Sequence, residues 1–247
     1  MTRLRFRAIA ASLFVLAAVW SGLACAASLQ VAPTSLTLEG RQNAEMLWLS
    51  NSGKQPVQVQ LRVFRWTQAD GKESLEPARD LVVSPAMQAL APGQRQVVRI
   101  VRTSPVPMAA EAAYRVIVDE LPTAGGQPQG LQFVLRYSVP IFVVPESPEG
   151  KPAIAPVLEA RLLGGEDGGI LEVRNLGTQH AQIADLAYGK DTASATSVAP
   201  GLLGYVLAGQ TMRWPLKFPA SHFTGGLFVA RINGAAVLQP LALQGAR

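Results

Sequence analysis

Leu131-Gln132-Phe133-Val134-Leu135-Arg136-Tyr137-Ser138-Val139-Pro140-Ile141-Phe142-Val143-Val144 is the stretch that decides the fold. Every odd position from Leu131 to Val143 is apolar. A period of two puts those side chains on one face of a β-strand. At about 3.3 Å per residue the strand would run about 45 Å, far beyond a usual strand of five or six residues. Pro140 has no N–H, which places the strand at a sheet edge there. A long apolar edge is an aggregation hazard. Either the strand is buried in its own sandwich, or it exists to pair with another chain.

The flanking sequence repeats the pattern in shorter pieces. Val57, Val59, Leu61 and Val63 alternate with Gln58, Gln60 and Arg62; Gln96, Val98 and Ile100 alternate with Val97, Arg99 and Val101. Tyr114, Val116 and Val118 alternate with Arg115, Ile117 and Asp119. Helical periodicity is nearly absent. Strands are expected near 28–38, 44–51, 57–66, 80–84, 95–102, 112–120 and 131–144, about seven in all, enough for one immunoglobulin-like sandwich. Pro145 to Pro152 is rich in proline and polar residues and reads as a linker. A second β series follows: 154–163, 170–175, 181–187, 205–207, 211–217, 226–233 and 236–241. The fold class is all-β, with two immunoglobulin-like sandwich domains at 27–145 and 153–247, joined by linker 146–152.

Residues 1–26 read as a secretory signal. Arg3, Arg5 and Arg7 precede an apolar stretch too short to span a bilayer, and Ala24-Cys25-Ala26 fits the small-x-small cleavage pattern. Its removal takes away three arginines and no acid, so the formal charge falls from +5 to +2. That small charge, with no local Lys/Arg run, gives nucleic-acid binding no support. The signal also holds the single cysteine, so the exported chain, expected in the periplasm, has no disulfide and relies on its core.

Chemistry for catalysis is lacking. His180 and His222 fall in different segments, neither with a second ligand at metal spacing. No nucleophile elbow, phosphate-cradling loop or dinucleotide fingerprint occurs. Asp119-Glu120 and Glu166-Asp167 are adjacent carboxylates that point to opposite faces of a strand, and both pairs read as solvated charges. Trp48, Trp66 and Trp214 read as core or rim aromatics. Neither an enzyme, a cofactor, a metal nor a small-molecule substrate is expected.

Several segments resemble the PapD-type periplasmic chaperones of the chaperone–usher pilus pathway. Val31-Ala32-Pro33-Thr34 is similar to that family's opening strand. Asn51-Ser52-Gly53-Lys54-Gln55-Pro56-Val57, leading to Trp66, is similar to its turn between the second and third strands. Leu90-Ala91-Pro92-Gly93 through Arg99, Tyr114-Arg115-Val116 through Pro122, and, in the second half, Leu171 to Asn175 and Ile232-Asn233-Gly234 complete the likeness.

The resemblance implies a boomerang-shaped, two-domain chaperone whose edge strand completes the unfinished sandwich of a pilus or surface-coat subunit and hands it to an outer-membrane usher. It implies Leu131, Phe133, Leu135 and Tyr137 as the subunit-binding donor strand. Family members commonly hold the subunit's terminal carboxylate with two basic residues. Here those places fall on Ser35 and Pro140, neither of them basic. The pattern resembles the divergent, archaic branch, for which Arg115 and Arg136 become the carboxylate-anchor candidates, with Arg99 and Arg102 behind them. An alternative is a secreted pilus or adhesion subunit, disfavoured because the first domain reads as complete.

Overall fold

The computed structural model describes residues 29–40, 42–103, 110–122, 134–145, 155–164 and 168–243. The expected signal, the linker 146–152, Leu131, Phe133 and Glu166-Asp167 lie outside them. The described residues are almost entirely strands, and they form two β-sandwiches.

The first sandwich contains β1 (Leu29–Ala32), β2 (Leu36–Glu39), β3 (Ala44–Asn51), β4 (Val57–Ala69), β5 (Lys72–Pro77), β6 (Leu81–Ser84), β7 (Met87–Leu90), β8 (Arg95–Arg102), β9 (Ala112–Leu121) and β10 (Arg136–Val144). One sheet has the order β1-β3-β8-β6, the other β2-β10-β9-β4-β5, with β7 also on β4. Between them lies a core that includes Leu38, Leu49, Leu61, Ile100, Val116 and Ile141, all essentially inaccessible to solvent.

Three expectations change. The opening strand is two strands, because Pro33 cannot donate to a ladder and the chain crosses there from one sheet to the other. β4 runs on to Ala69 and returns as β5 through Asp70-Gly71, both at positive φ (52° and 75°), the pairing that a two-residue hairpin loop requires. β5 is exposed throughout, so it carries no alternation to betray it. β7 is a short return strand on the first part of β4.

The second sandwich contains β11 (Leu158–Gly164), β12 (Gly169–Asn175), β13 (Ala181–Gly189), β14 (Thr196–Val206), β15 (Thr211–Pro215), a 3-10 turn (Ala220–His222), β16 (Leu227–Ile232) and β17 (Gln239–Leu243). Its hydrogen-bonded path is β14-β13-β16-β17-β11-β12-β15. β17 pairs antiparallel with β16 and parallel with β11, so it joins the two layers around Phe228, Leu186, Val206 and Leu171. β14 begins nine residues before the expected 205–207 strand. It lies at the edge, and bulges in its pairing with β13 blur the alternation.

The two sandwiches share one lock. Asn51 ends β3 and Asn175 ends β12, both buried. Asn51 donates to the carbonyls of Gln55 (2.8 Å) and Leu90 (3.0 Å) and accepts from Gly53 N–H (2.9 Å). Asn175 donates to Gln179 (2.7 Å) and Val206 (3.1 Å) and accepts from Gly177 (2.9 Å). Each satisfies buried backbone groups where a strand turns away, at the repeated sequence Asn-x-Gly-x-Gln.

Candidate functional site

β10 is the strand to which the sequence points, and its pairing is lopsided. On one side β9 covers it from Arg136 to Val143, and the ladder continues through Glu120 N–H to Leu135 C=O (2.9 Å). On the other side β2 pairs only with Ile141 to Val144. β1, the strand that would continue this pairing, belongs to the opposite sheet. From Val134 to Pro140, no described strand covers the outer edge of β10.

The ladder fixes which groups that edge exposes. Leu135 turns its carbonyl to β9, and the pairing has no shift from Arg136 to Val143. In an antiparallel pair, alternate residues bond the same neighbour. Tyr137 and Val139 therefore bond β9, while Arg136 and Ser138 present both N–H and C=O outward. Pro140 shares their direction, so its missing N–H removes nothing from β9.

Other edges are blunted. β5 carries Lys72, Glu73, Glu76 and Pro77; β6 is four residues long and precedes Pro85; β14 contains Pro200 and Gly201; β15 is short and ends in Pro215. Charge, proline and shortness are the usual protections of an edge strand. The open part of β10 has Arg136 and the outward Pro140 alone.

Side chains follow the same alternation. Val139, Ile141 and Val143 are buried in the first core, and Leu135 and Tyr137 pack half-buried against it at the open end. The Tyr137 hydroxyl donates to Leu29 C=O (2.5 Å), bridging the mouth between the two sheets. An added strand would thus extend the hydrogen-bonded sheet and the core beneath it together. Of the expected donor residues, the structure places Leu135 and Tyr137 there.

The even positions of β10 face the other way, and among them Phe142 packs against His180 and Tyr205 of the second sandwich. Arg115, on β9, is directly opposite Pro140. Its guanidinium is stacked 3.8 Å over the Trp66 ring and 5.8 Å from that of Tyr205. One Nη donates to Ser138 Oγ (3.3 Å), and the other is 3.7 Å from Glu73 Oε2. The side chain is 16% exposed. Burial lowers its pKa, opposed by the charge of Glu73, and the guanidinium stays charged across physiological pH.

Arg136 is on the same face but four positions away along the ladder, about 13 Å. It donates to Asp119, which also accepts from Arg62 at 2.7 Å. Contrary to the expectation of a solvated charge, Asp119 is buried between two arginines. Its desolvation pushes its pKa up, but hydrogen bonds from Arg62 and Arg136 outweigh this and hold it below the usual carboxylate range. The structure does not bring the two candidate anchors together. Arg99 and Arg102 lie on β8 in the other sheet, and Arg102 donates to Gly40 C=O (3.0 Å). Ser35 is exposed between β1 and β2.

Sequence reasoning missed the joint beside Arg115. Trp66, Ala113 and Phe142 of the first sandwich form a small core with Tyr205 and Leu207 of the second. The buried Gln68 amide donates to Tyr205 C=O and accepts from Leu207 N–H, both at 2.9 Å, as a neighbouring strand would. Glu111 accepts from His180 N–H (3.0 Å) and lies 2.8 Å from its Nδ1, while the His180 ring stacks on Phe142 at 3.4 Å. In the sequence Gln68 lies beyond the strand expected at 57–66, and His180 has no second ligand at metal spacing. The described residues hold no cluster suited to a metal ion.

Residues 28–149 match the family described as pili and flagellar-assembly chaperone, PapD N-terminal domain. None of the curated proteins matches the chain. Among solved structures, one similar chain is in the CsuC–CsuE chaperone–tip adhesion subunit pre-assembly complex of archaic chaperone–usher Csu pili from Acinetobacter baumannii. It is 24% identical with a TM-score of 0.71, over 88% of this chain and all of that one. The CupB2 chaperone of Pseudomonas aeruginosa is 19% identical with a TM-score of 0.60, over 87% of this chain and all of that one. The YadV chaperone is 16% identical with a TM-score of 0.61, over 87% and 98%. These likenesses establish the two-sandwich fold.

Proposed function

We propose that this chain, which belongs to the PapD-type family of pilus chaperones through residues 28–149, lends the outer edge of β10 to a pilus or surface-coat subunit as the strand its sandwich lacks. The observation that carries this reading is the edge from Val134 to Pro140, which no described strand covers, whereas β5, β6, β14 and β15 are charged, short or interrupted by proline. Arg136 and Ser138 supply main-chain donors and acceptors, and Leu131, Phe133, Leu135 and Tyr137 supply side chains to the subunit's groove. Strand addition is an established mode of recognition, and chaperone–pilin complexes are a standard example of it. Each fully buried apolar side chain adds roughly 1.5–3 kcal/mol.

Arg115 is the anchor for the subunit's terminal carboxylate. It is across from Pro140, where the family's basic residue is missing, and its guanidinium lies by Trp66 of the first sandwich and Tyr205 of the second. Arg136, tied to Asp119, holds the start of β10 against β9. The chain acts in the periplasm after loss of residues 1–26, as domains 27–145 and 153–247, and passes its subunit to an outer-membrane usher without enzymatic chemistry.

Co-purification with a pilus subunit tests the reading. Phe133→Asp, at a proposed donor position, should abolish capture. Val134→Asp, at the exposed neighbouring position, should preserve most of it. Equal capture by both variants contradicts the assignment.

A further inference from the structure

The surroundings of Arg115 contain a carboxylate already. The flat face of the guanidinium lies on Trp66, so an anion must approach its edge. At that edge one Nη meets Ser138 Oγ at 3.3 Å and the other faces Glu73 Oε2 at 3.7 Å. Those two oxygens stand at the two nitrogens that a bidentate carboxylate would engage. Neither contact is tight. The Glu73 distance is beyond hydrogen-bond reach, and its side chain is 40% exposed on the edge strand β5. Its other oxygen is 3.5 Å from Gln68 Nε2, whose firmer bond goes to Tyr205 C=O.

We infer that Glu73 is an internal stand-in for the subunit's terminal carboxylate: it neutralises Arg115 in the free chaperone and is displaced when a chain end arrives. This rests on the reading of Arg115 as the anchor. Glu73 then sets selectivity. A stray anion must displace a tethered carboxylate, whereas a subunit that also engages β10 does so readily. Glu73 also weakens the final grip, which suits a chaperone that must release its cargo. Removing the charge while keeping the shape should therefore tighten carboxylate binding, the opposite of what loss of a supporting residue does.

The test follows the Arg115 side-chain Nε–H signal by NMR while N-acetyl-leucine, a minimal chain end, is titrated into the whole protein. Glu73→Gln should lower the dissociation constant roughly two- to five-fold, the range of a partly exposed ion pair. N-acetyl-leucinamide, which lacks the charge, should bind Glu73→Gln and wild type alike. Glu76→Gln makes the same charge change on the other face of β5 and should have little effect at physiological salt. Unchanged or weaker binding by Glu73→Gln overturns the inference, as does equal tightening by Glu76→Gln or no saturable binding to any of the three. Subunit capture by Arg115→Ala separates the two ideas. Capture unchanged there removes the anchor itself. Capture lost there, with Glu73→Gln binding no tighter, removes only the stand-in.

Discussion

Ser138→Pro should disable capture while leaving the chaperone folded. Ser138 points its N–H out of the sheet, so a proline there costs β9 nothing. Pro140 already occupies the same orientation two residues on, and the residue before a proline favours the extended backbone that Tyr137 has as part of β10. An incoming strand loses more. Its carbonyl opposite residue 138 finds no donor inside a closed interface, at about 1–3 kcal/mol. Ser138→Ala controls for the hydroxyl contact to Arg115, worth about 0.5–1.5 kcal/mol. Relative to that control, Ser138→Pro should raise the dissociation constant of the subunit complex roughly five- to 150-fold. Its melting temperature should fall by a few degrees at most. The assay is titration of labelled subunit with each variant, alongside thermal denaturation. Equal affinity for Ser138→Pro and Ser138→Ala refutes the assignment of outward hydrogen bonds to this edge.

Arg115→Ala should weaken capture by about 2–5 kcal/mol, with Arg115→Lys restoring only part, measured in the same titration. Arg136→Ala should affect capture less and cost about 0.2–1 kcal/mol of stability, because its exposed side chain shares Asp119 with Arg62; urea denaturation reads this. The Asp119 pKa is lower folded than unfolded, so its stabilisation is present above the unfolded value near 4 and is lost as pH falls through the folded one. The stability gap between wild type and Asp119→Asn should therefore shrink below about pH 4. Asn51→Ala and Asn175→Ala should each destabilise their sandwich by about 2–4 kcal/mol in urea, since each strands several buried backbone groups.

The strands that form the cores were legible because one face of each is buried, and burial writes a period of two into the sequence. β5 and much of β14 were not, since strands exposed on both faces need no alternation. Asp70-Gly71 was the signal for β5, as Asn-x-Gly-x-Gln was for the shared lock. The open edge was half legible. Alternation and Pro140 marked β10 as an edge strand, but only the switch of the opening strand at Pro33 shows where cover stops. Arg115 could be named from its strand, and its partners could not. Trp66, Glu73 and Tyr205 meet it from β4, β5 and β14, and nothing local in sequence encodes that meeting. Arg136 was placed on the right face, but its bond to Asp119 depends on register between strands.

Amide hydrogen exchange along β10 tests the central claim most directly. In the free protein, Arg136 and Ser138 N–H should exchange rapidly, while Tyr137 and Val139, bonded to β9, are protected. In the complex with a pilus subunit, Arg136 and Ser138 should become protected as well. Uniform protection across these four amides in the free protein, or fast exchange at Arg136 and Ser138 in the complex, would contradict strand donation by this edge.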